Sequence, residues 1–89
     1  MEFEWDPYKA RVNEAKHGVN FHEASTVFED SLAFSVLDPD NLEGEERYLI
    51  FGCTASGDHV VVSFTDRQDR IRLISARFMT RAERQNYER

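Results

Sequence analysis

The second half of the chain contains four short apolar stretches, separated by connections too short for a crossover helix. These stretches are LAFSVL at 32–37, RYLIFGC at 47–53, HVVVSFT at 59–65 and IRLISARF at 71–78. The acidic segment 38–46 contains Pro and Gly and is typical of a loop, and turn residues recur at 55–58 and 66–69. Parallel neighbours would need a connection of about a dozen residues or more, so these strands must be antiparallel. The pattern predicts a four-stranded antiparallel meander over 32–78.

The beginning of the chain combines a short strand pattern with a helix that has clear start and stop signals. Phe3 and Trp5 alternate with glutamates, which is the period of a half-buried strand. Asp6-Pro7 is typical of an N-cap followed by proline at the first helical position. Gly18 is typical of a left-handed C-cap. The sequence therefore predicts one short strand and then a helix that ends before Gly18.

The first helix has two neighbouring stripes of different character. Tyr8, Val12 and Ala15 recur at helical spacing, so we expect them to face the core. Lys9, Asn13 and Lys16 share the same spacing on the adjacent stripe, with His17 beside them. This stripe is either a solvated helix face, which is the common case, or one side of a site for an anion.

Two further helices are predicted from capping patterns. Asn20 and Glu23 resemble a capping box, and an apolar face follows. That face is formed by Phe21, Ala24, Val27 and Phe28. Thr80 and Glu83 predict a capping box for a short last helix. The chain is therefore predicted to be α+β, with a short strand, two helices, the four-stranded antiparallel meander and a short C-terminal helix.

The last predicted strand does not alternate cleanly. One face would carry Arg70, Arg72, Ile74, Ala76 and Phe78. The other face would carry Ile71, Leu73, Ser75 and Arg77. Each face is thus apolar at one end and cationic at the other. Either helices cover different ends of the two faces, or a bulge near Ser75 changes the register.

Charge is distributed very unevenly along the chain. Residues 67–89 contain seven arginines and three acids, about +4, whereas residues 1–66 contain four basic and fourteen acidic side chains, about −10. The net charge of −6 disfavours nonspecific coating of nucleic acid, so any such contact must be local. Arginine suits phosphate because its planar fork can bind two oxygens at once. The alternative is that these arginines pair with the chain's own acids.

The composition favours a single domain, 1–89, without a metal or cofactor. The histidines, His17, His22 and His59, have no metal-ligand spacing, and no glycine loop is present to cradle phosphate. The single Cys53 cannot form an internal disulfide, and the N-terminus MEFEWDP is acidic where a signal peptide would be basic. We therefore expect a cytoplasmic protein.

Positive side chains from two parts of the chain could form a polyanion site. Lys9, Lys16 and His17 come from the first helix, and the arginines at 67, 70, 72 and 77 come from the last hairpin. RNA can be cleaved by its own 2′-hydroxyl if a base, phosphate-stabilising cations and an acid are supplied. His17 is the candidate for proton transfer in this set, because histidine is the residue type that most often serves as a general acid or base. It could equally interact with the end of its helix as a cap.

Long segments of the chain resemble the BrnT toxins of bacterial type II toxin–antitoxin systems. The segments are FEWDPYKARVNEAKHGVNFHEASTVFED, GEERYLIFG and DRIRLISARFMTRAERQNYE. The family pattern maps onto Trp5, Asp6, Lys9, Asn13, Lys16, His17, Gly18, Arg47, Arg72, Ser75 and Arg77. The resemblance implies a RelE/ParE-like fold and an endoribonuclease that blocks translation. It also implies neutralisation by BrnA, a ribbon-helix-helix antitoxin that binds operator DNA.

The first functional hypothesis, a metal-independent ribonuclease toxin, assigns roles to particular side chains. Arg72 and Arg77 would stabilise the phosphate, and His17 or a nearby carboxylate such as Glu46 would move protons. RNA would be held by a basic set, namely Lys9, Lys16, Arg47, Arg67 and Arg70. Gln68 stands where the family often has glycine, which predicts another turn type in the last hairpin. Phe78-Met79 replaces a more common basic-then-small pair.

A second functional hypothesis is an interaction module without turnover. Such a protein would bind an antitoxin-like partner and tune operator repression, reaching DNA only through that partner. In either case we expect an acidic partner surface to cover the arginines, without membrane association. Charge complementarity of this kind acts mostly on association rate, so salt should slow complex formation.

Overall fold

The computed structural model describes residues 1–40 and 46–88 of the chain. The strands are β1 (Glu2–Glu4), β2 (Phe34–Leu37), β3 (Tyr48–Cys53), β4 (His59–Arg67) and β5 (Arg70–Phe78). The helices are α1 (Pro7–His17), α2 (Phe21–Ser25) and α3 (Arg81–Tyr87), with a 3₁₀ turn at Thr26–Glu29. Residues 41–45 of the predicted 38–46 loop lie outside the described residues. No helix in the described ranges is long and apolar enough to cross a membrane.

The five strands form one mixed sheet in the order β1-β5-β4-β3-β2. The predicted meander is confirmed, because β2, β3, β4 and β5 pair antiparallel with their chain neighbours. The predicted sheet was incomplete, because β1 adds a fifth strand parallel to β5, with Glu2 opposite Arg70 and Glu4 opposite Arg72. This pairing joins the first strand of the chain to the last, and no local sequence pattern encodes it.

Helix α2 and the 3₁₀ turn that follows it pack on one face of the sheet and form the core with it. The apolar face predicted for the second helix is confirmed, since Phe21, Ala24 and Val27 are buried. The α-helix ends at Ser25, however, and the following turn narrows to 3₁₀. The capping box is only half formed: Asn20 accepts from the His22 and Glu23 amides. The Glu23 carboxylate instead accepts from the Ser56 amide in the β3–β4 turn, at 2.9 Å.

The apolar spacing on helix α1 predicted the wrong buried face. Tyr8 and Val12 are 66% and 45% exposed, and Ala15 is also exposed, whereas Asn13 is buried. The Asn13 amide nitrogen donates to the carbonyl of Ala76 at 2.9 Å, and its oxygen accepts from the Ala76 amide at 3.1 Å. Helix α1 therefore lies along the edge of β5 beyond β1, where a polar side chain completes the unpaired strand edge.

Both ends of α1 agree with the sequence prediction. The Asp6 carboxylate accepts from the Tyr8 and Lys9 amides, and Pro7 occupies the first helical position. Gly18 adopts a left-handed conformation with φ of 75°. The resulting turn lets Val19 enter the core, and its carbonyl accepts a further bond from Asn13 at 3.2 Å.

A bulge in β5 resolves the irregular alternation of the last strand. Ser63 pairs with Ser75 but Phe64 pairs with Leu73, so Ile74 is the extra residue. Cross-strand partners lie on the same face of the sheet. The extra residue therefore places Leu73, before the bulge, and Ala76, after it, on the same core-facing side. The polar side chains of the hairpin then share the opposite side, which we call the arginine face: Arg67, Arg70, Arg72, Ser75 and Arg77.

Candidate anion-binding site

One carboxylate lies among three arginines on the arginine face. Glu4 Oε2 lies 3.2 Å from Arg72 Nη1 and 3.8 Å from Arg67 Nη1, and Glu4 Oε1 lies 3.3 Å from Arg70 Nη1. Arg70 Nε also lies 3.6 Å from Glu2 Oε1. Hydrogen bonds from Arg70 and Arg72 lower the pKa of Glu4, so this carboxylate is ionised at neutral pH. The parallel ladder between β1 and β5 brings these charges together.

Arg77 has a different partner and a tighter geometry. Its two terminal nitrogens donate to the two Glu83 oxygens at 2.8 and 2.9 Å, and Nη1 also donates to the Phe78 carbonyl at 3.2 Å. The hydrogen bond from Arg77 lowers the pKa of Glu83 to about 2. Glu83 also accepts from the Thr80 amide, which completes the predicted capping box of α3. Arg77 thus fastens the start of α3 to β5.

The three basic candidates on α1 meet at a separate cavity. Lys9, Lys16 and His17 line a space of about 300 Å³. Its other walls are formed by Tyr8, Val12, Asn13, Ile74 and Ser75. The cavity therefore reaches β5 at the bulge, where Ser75 lies between Arg72 and Arg77 in the strand. The predicted α1 cluster is brought to the strand that carries the arginines.

Two predicted residues have described contacts elsewhere. Glu46 accepts a hydrogen bond from the Tyr48 hydroxyl at 3.1 Å, which raises the pKa of Tyr48. Arg47 is exposed just before β3, and its carbonyl accepts from the Asp38 amide at 2.9 Å. Within the described contacts, neither side chain joins the Glu4 cluster or the α1 cavity.

A buried hydroxyl lies on the strand next to Arg72, at the paired position. Thr65 pairs with Arg72 in the β4–β5 ladder and is 1% exposed. Its Oγ1 has no hydrogen-bond partner among the described residues. An unpaired buried hydroxyl costs on the order of 1–3 kcal/mol.

Sequence reasoning missed the side chains that complete these clusters. The sequence predicted a strand that contains Glu4 but did not predict the arginines that pair with it. The parallel pairing of β1 with β5 joins segments far apart in the chain, so neighbouring residues do not reveal it. Tyr8 was assigned to the core and lines the cavity instead. No group of three or more potential metal-ligand side chains was found in residues 1–40 and 46–88. The arrangement can bind an anion through guanidinium and ammonium groups, with a carboxylate beside them.

Comparison with known proteins gives consistent matches. Residues 5–83 match the family model described as ribonuclease toxin, BrnT, of type II toxin-antitoxin system. The crystal structure of the Brucella abortus ribonuclease toxin BrnT is similar, with 27% sequence identity and a TM-score of 0.67. The match covers 91% of this chain and 99% of that chain. No curated protein sequence matches significantly.

Proposed function

The chain belongs to the BrnT family of ribonuclease toxins of type II toxin–antitoxin systems, and from this we propose that it is a metal-independent endoribonuclease that blocks translation. The observation that carries the proposal is the alignment of the hairpin arginines on one face by the β5 bulge. Cations in this arrangement can stabilise the charge that develops on a phosphate attacked by the neighbouring 2′-hydroxyl. The reaction then needs only proton transfer from the protein.

We assign the phosphate to Arg72 in preference to Arg77. Among the described residues, Arg72 meets Glu4 through Nη1 alone, and a guanidinium has five N–H donors. Arg77 already commits both terminal nitrogens to Glu83. Arg72 can therefore receive a phosphate without releasing its carboxylate, whereas Arg77 would have to give up two short bonds.

The remaining basic side chains are assigned to RNA binding. Lys9, Lys16 and His17 in the α1 cavity would hold the strand on one side of Ser75, with His17 available for proton transfer. Arg67 and Arg70 would hold it on the other side. Because β-strand residues rise about 3.3 Å each, Ser75 lies roughly 10 Å from Arg72, within the reach of one or two nucleotides.

The partner in this proposal is an antitoxin similar to BrnA, with a ribbon-helix-helix fold. It would neutralise the toxin by covering the arginine face with acidic side chains, and it would provide the contact with operator DNA. The same proposal assigns the chain to the RelE/ParE-like superfamily and to the cytoplasm.

The proposal is tested by incubating the purified chain with a defined RNA, with and without EDTA. We expect cleavage in both conditions, with 2′,3′-cyclic phosphate and 5′-hydroxyl ends, and none at a 2′-deoxy position. Arg72→Lys should lower the rate by about 30- to 1,000-fold, equivalent to roughly 2–4 kcal/mol of transition-state stabilisation. Arg84→Lys is the matched control, because Arg84 pairs with Glu88 on α3. Cleavage that disappears with EDTA would refute the metal-independent mechanism.

A second candidate function is an antitoxin-binding module without catalysis. It is favoured by one observation: Arg72 and Arg77 both pair with the chain's own carboxylates. This candidate predicts tight binding of the antitoxin, no RNA cleavage under any condition, and Arg72→Lys effects on stability alone.

A further inference from the structure

The proposed reaction requires a base, and the structure offers a carboxylate outside the set predicted from the sequence. Glu46, the carboxylate suggested by sequence, bonds to Tyr48. Glu4 instead lies 3.2 Å from Arg72, the side chain assigned to the phosphate. A base for the 2′-hydroxyl must lie beside the scissile phosphate, because that hydroxyl is on the adjacent ribose carbon.

We propose that Glu4 is the general base that deprotonates the 2′-hydroxyl of RNA bound at Arg72, a role that rests on the proposed function. The proton moves from the 2′-oxygen to a Glu4 carboxylate oxygen. The 2′-oxygen forms a bond to phosphorus, and the bond from phosphorus to the 5′-oxygen breaks. The 5′-oxygen leaves with a proton from water or from an acid such as His17. The products are a 2′,3′-cyclic phosphate and a 5′-hydroxyl.

The hydrogen-bond pattern holds the carboxylate beside the anion site without filling it. Each Glu4 oxygen takes one hydrogen bond from one arginine, Oε1 from Arg70 and Oε2 from Arg72. The Glu4 and Arg72 side chains are 24% and 33% exposed, so both can reach a substrate. A carboxylate oxygen has further lone pairs available to accept a hydroxyl proton.

The charges around Glu4 keep it in the reactive form. Among the described residues, the charged groups around Glu4 are Arg67, Arg70 and Arg72, and Arg70 in turn pairs with Glu2. The three cations favour the ionised carboxylate, as a base requires. A phosphate bound to Arg72 would also be attracted to these cations, and its negative charge would offset their effect on Glu4. Glu4 would therefore become a stronger base when the substrate is bound.

The test compares Glu4→Gln with Glu2→Gln, which removes a carboxylate from the same strand and the same face. We expect Glu4→Gln to lower kcat by about 10²- to 10⁴-fold. It should bind a non-cleavable 2′-O-methyl RNA as tightly as wild type or more tightly, because a negative charge is removed. Glu2→Gln should keep kcat within about threefold. Melting curves would confirm that both variants are folded.

Wild-type protein provides a readout that does not depend on a variant. With Glu4 as base, the acid limb of kcat/KM should fall only below about pH 4.5, because the neighbouring arginines lower the pKa of Glu4. A limb with its midpoint near 6.5 would indicate a histidine base and overturn the inference.

The outcomes separate this inference from the proposed function. Unchanged or faster cleavage by Glu4→Gln overturns the base assignment, and faster cleavage would mean that Glu4 only occupies the anion site. Loss in Glu46→Gln with normal Glu4→Gln activity also overturns it, while RNA cleavage itself stands. If wild type cleaves no RNA, the proposed function fails and this inference fails with it.

Discussion

The Arg77–Glu83 pair makes a quantitative prediction about stability and pH. Glu83 accepts two hydrogen bonds from Arg77 and one from the Thr80 amide, so replacement by glutamine removes the charge while keeping the size of the side chain. The pKa of Glu83 falls from 4.5 to about 2, chiefly because of Arg77. Glu83→Gln should therefore destabilise the fold at neutral pH and hardly at all in strong acid.

The magnitude follows from linkage. A fall of the pKa from 4.5 to about 2 corresponds to about 3.4 kcal/mol if the unfolded chain has the ordinary value. Arg77 is 40% exposed, so solvent screening reduces this to about 1–2 kcal/mol. Because the pKa is depressed in the folded state, this stabilisation is present above pH 4.5 and is lost as pH falls toward 2. For a chain of this size, it corresponds to roughly 4–15 °C in Tm.

The assay is urea unfolding of wild type and Glu83→Gln at several pH values between 7 and 3. Other carboxylates titrate in both proteins, so the difference between the two free energies isolates Glu83. Glu14→Gln, an exposed change on α1, is the control and should be nearly neutral throughout. A Glu83→Gln deficit that stays constant as pH falls would refute the assignment of the stabilisation to an ion pair.

Three further predictions concern the strand edge, the hairpin and the partner. Asn13→Ala should lower the free energy of unfolding by about 2–4 kcal/mol in urea melts, because the Ala76 amide and carbonyl lose their partner. Gln68→Gly should raise it by about 0.5–1 kcal/mol, because Gln68 has φ of 59°. A thermal melt with no gain would contradict that strain. In stopped-flow mixing, higher salt should slow antitoxin association while leaving dissociation almost unchanged.

The features that sequence predicted well are those encoded by neighbouring residues. The strands and turns of the meander follow from short-range alternation, and the caps at Asp6, Gly18 and Thr80 follow from local backbone needs. Gln68 shows the limit of this reasoning. Another turn type was expected without glycine, yet Gln68 adopts the positive φ that glycine favours, because the two-residue connection between paired Arg67 and Arg70 demands it.

The features that sequence could not predict depend on contacts between distant segments. The apolar spacing of Tyr8 and Val12 suggested a buried face, but α1 meets a strand edge, where the backbone needs a polar partner. Asn13 therefore turns inward and the apolar pair turns outward. The sequence of β5 was compatible with either differently covered faces or a bulge. The cross-strand pairs Ser63–Ser75 and Phe64–Leu73, which leave Ile74 unpaired, show that the strand contains the bulge.

The charge of the arginine face illustrates why a count along the sequence does not determine a binding surface. Among the described residues, its arginines pair with the carboxylates of Glu2, Glu4 and Glu83, which offset much of its positive charge. Solvent weakens the partly exposed pairs at Glu2 and Glu4, and a phosphate that engages two donors at once binds an arginine strongly. Binding of a phosphate is easiest at Arg72, which Glu4 engages through one nitrogen, and hardest at Arg77, which Glu83 engages through two. In the proposed reaction, the carboxylates therefore determine which arginine can bind the phosphate.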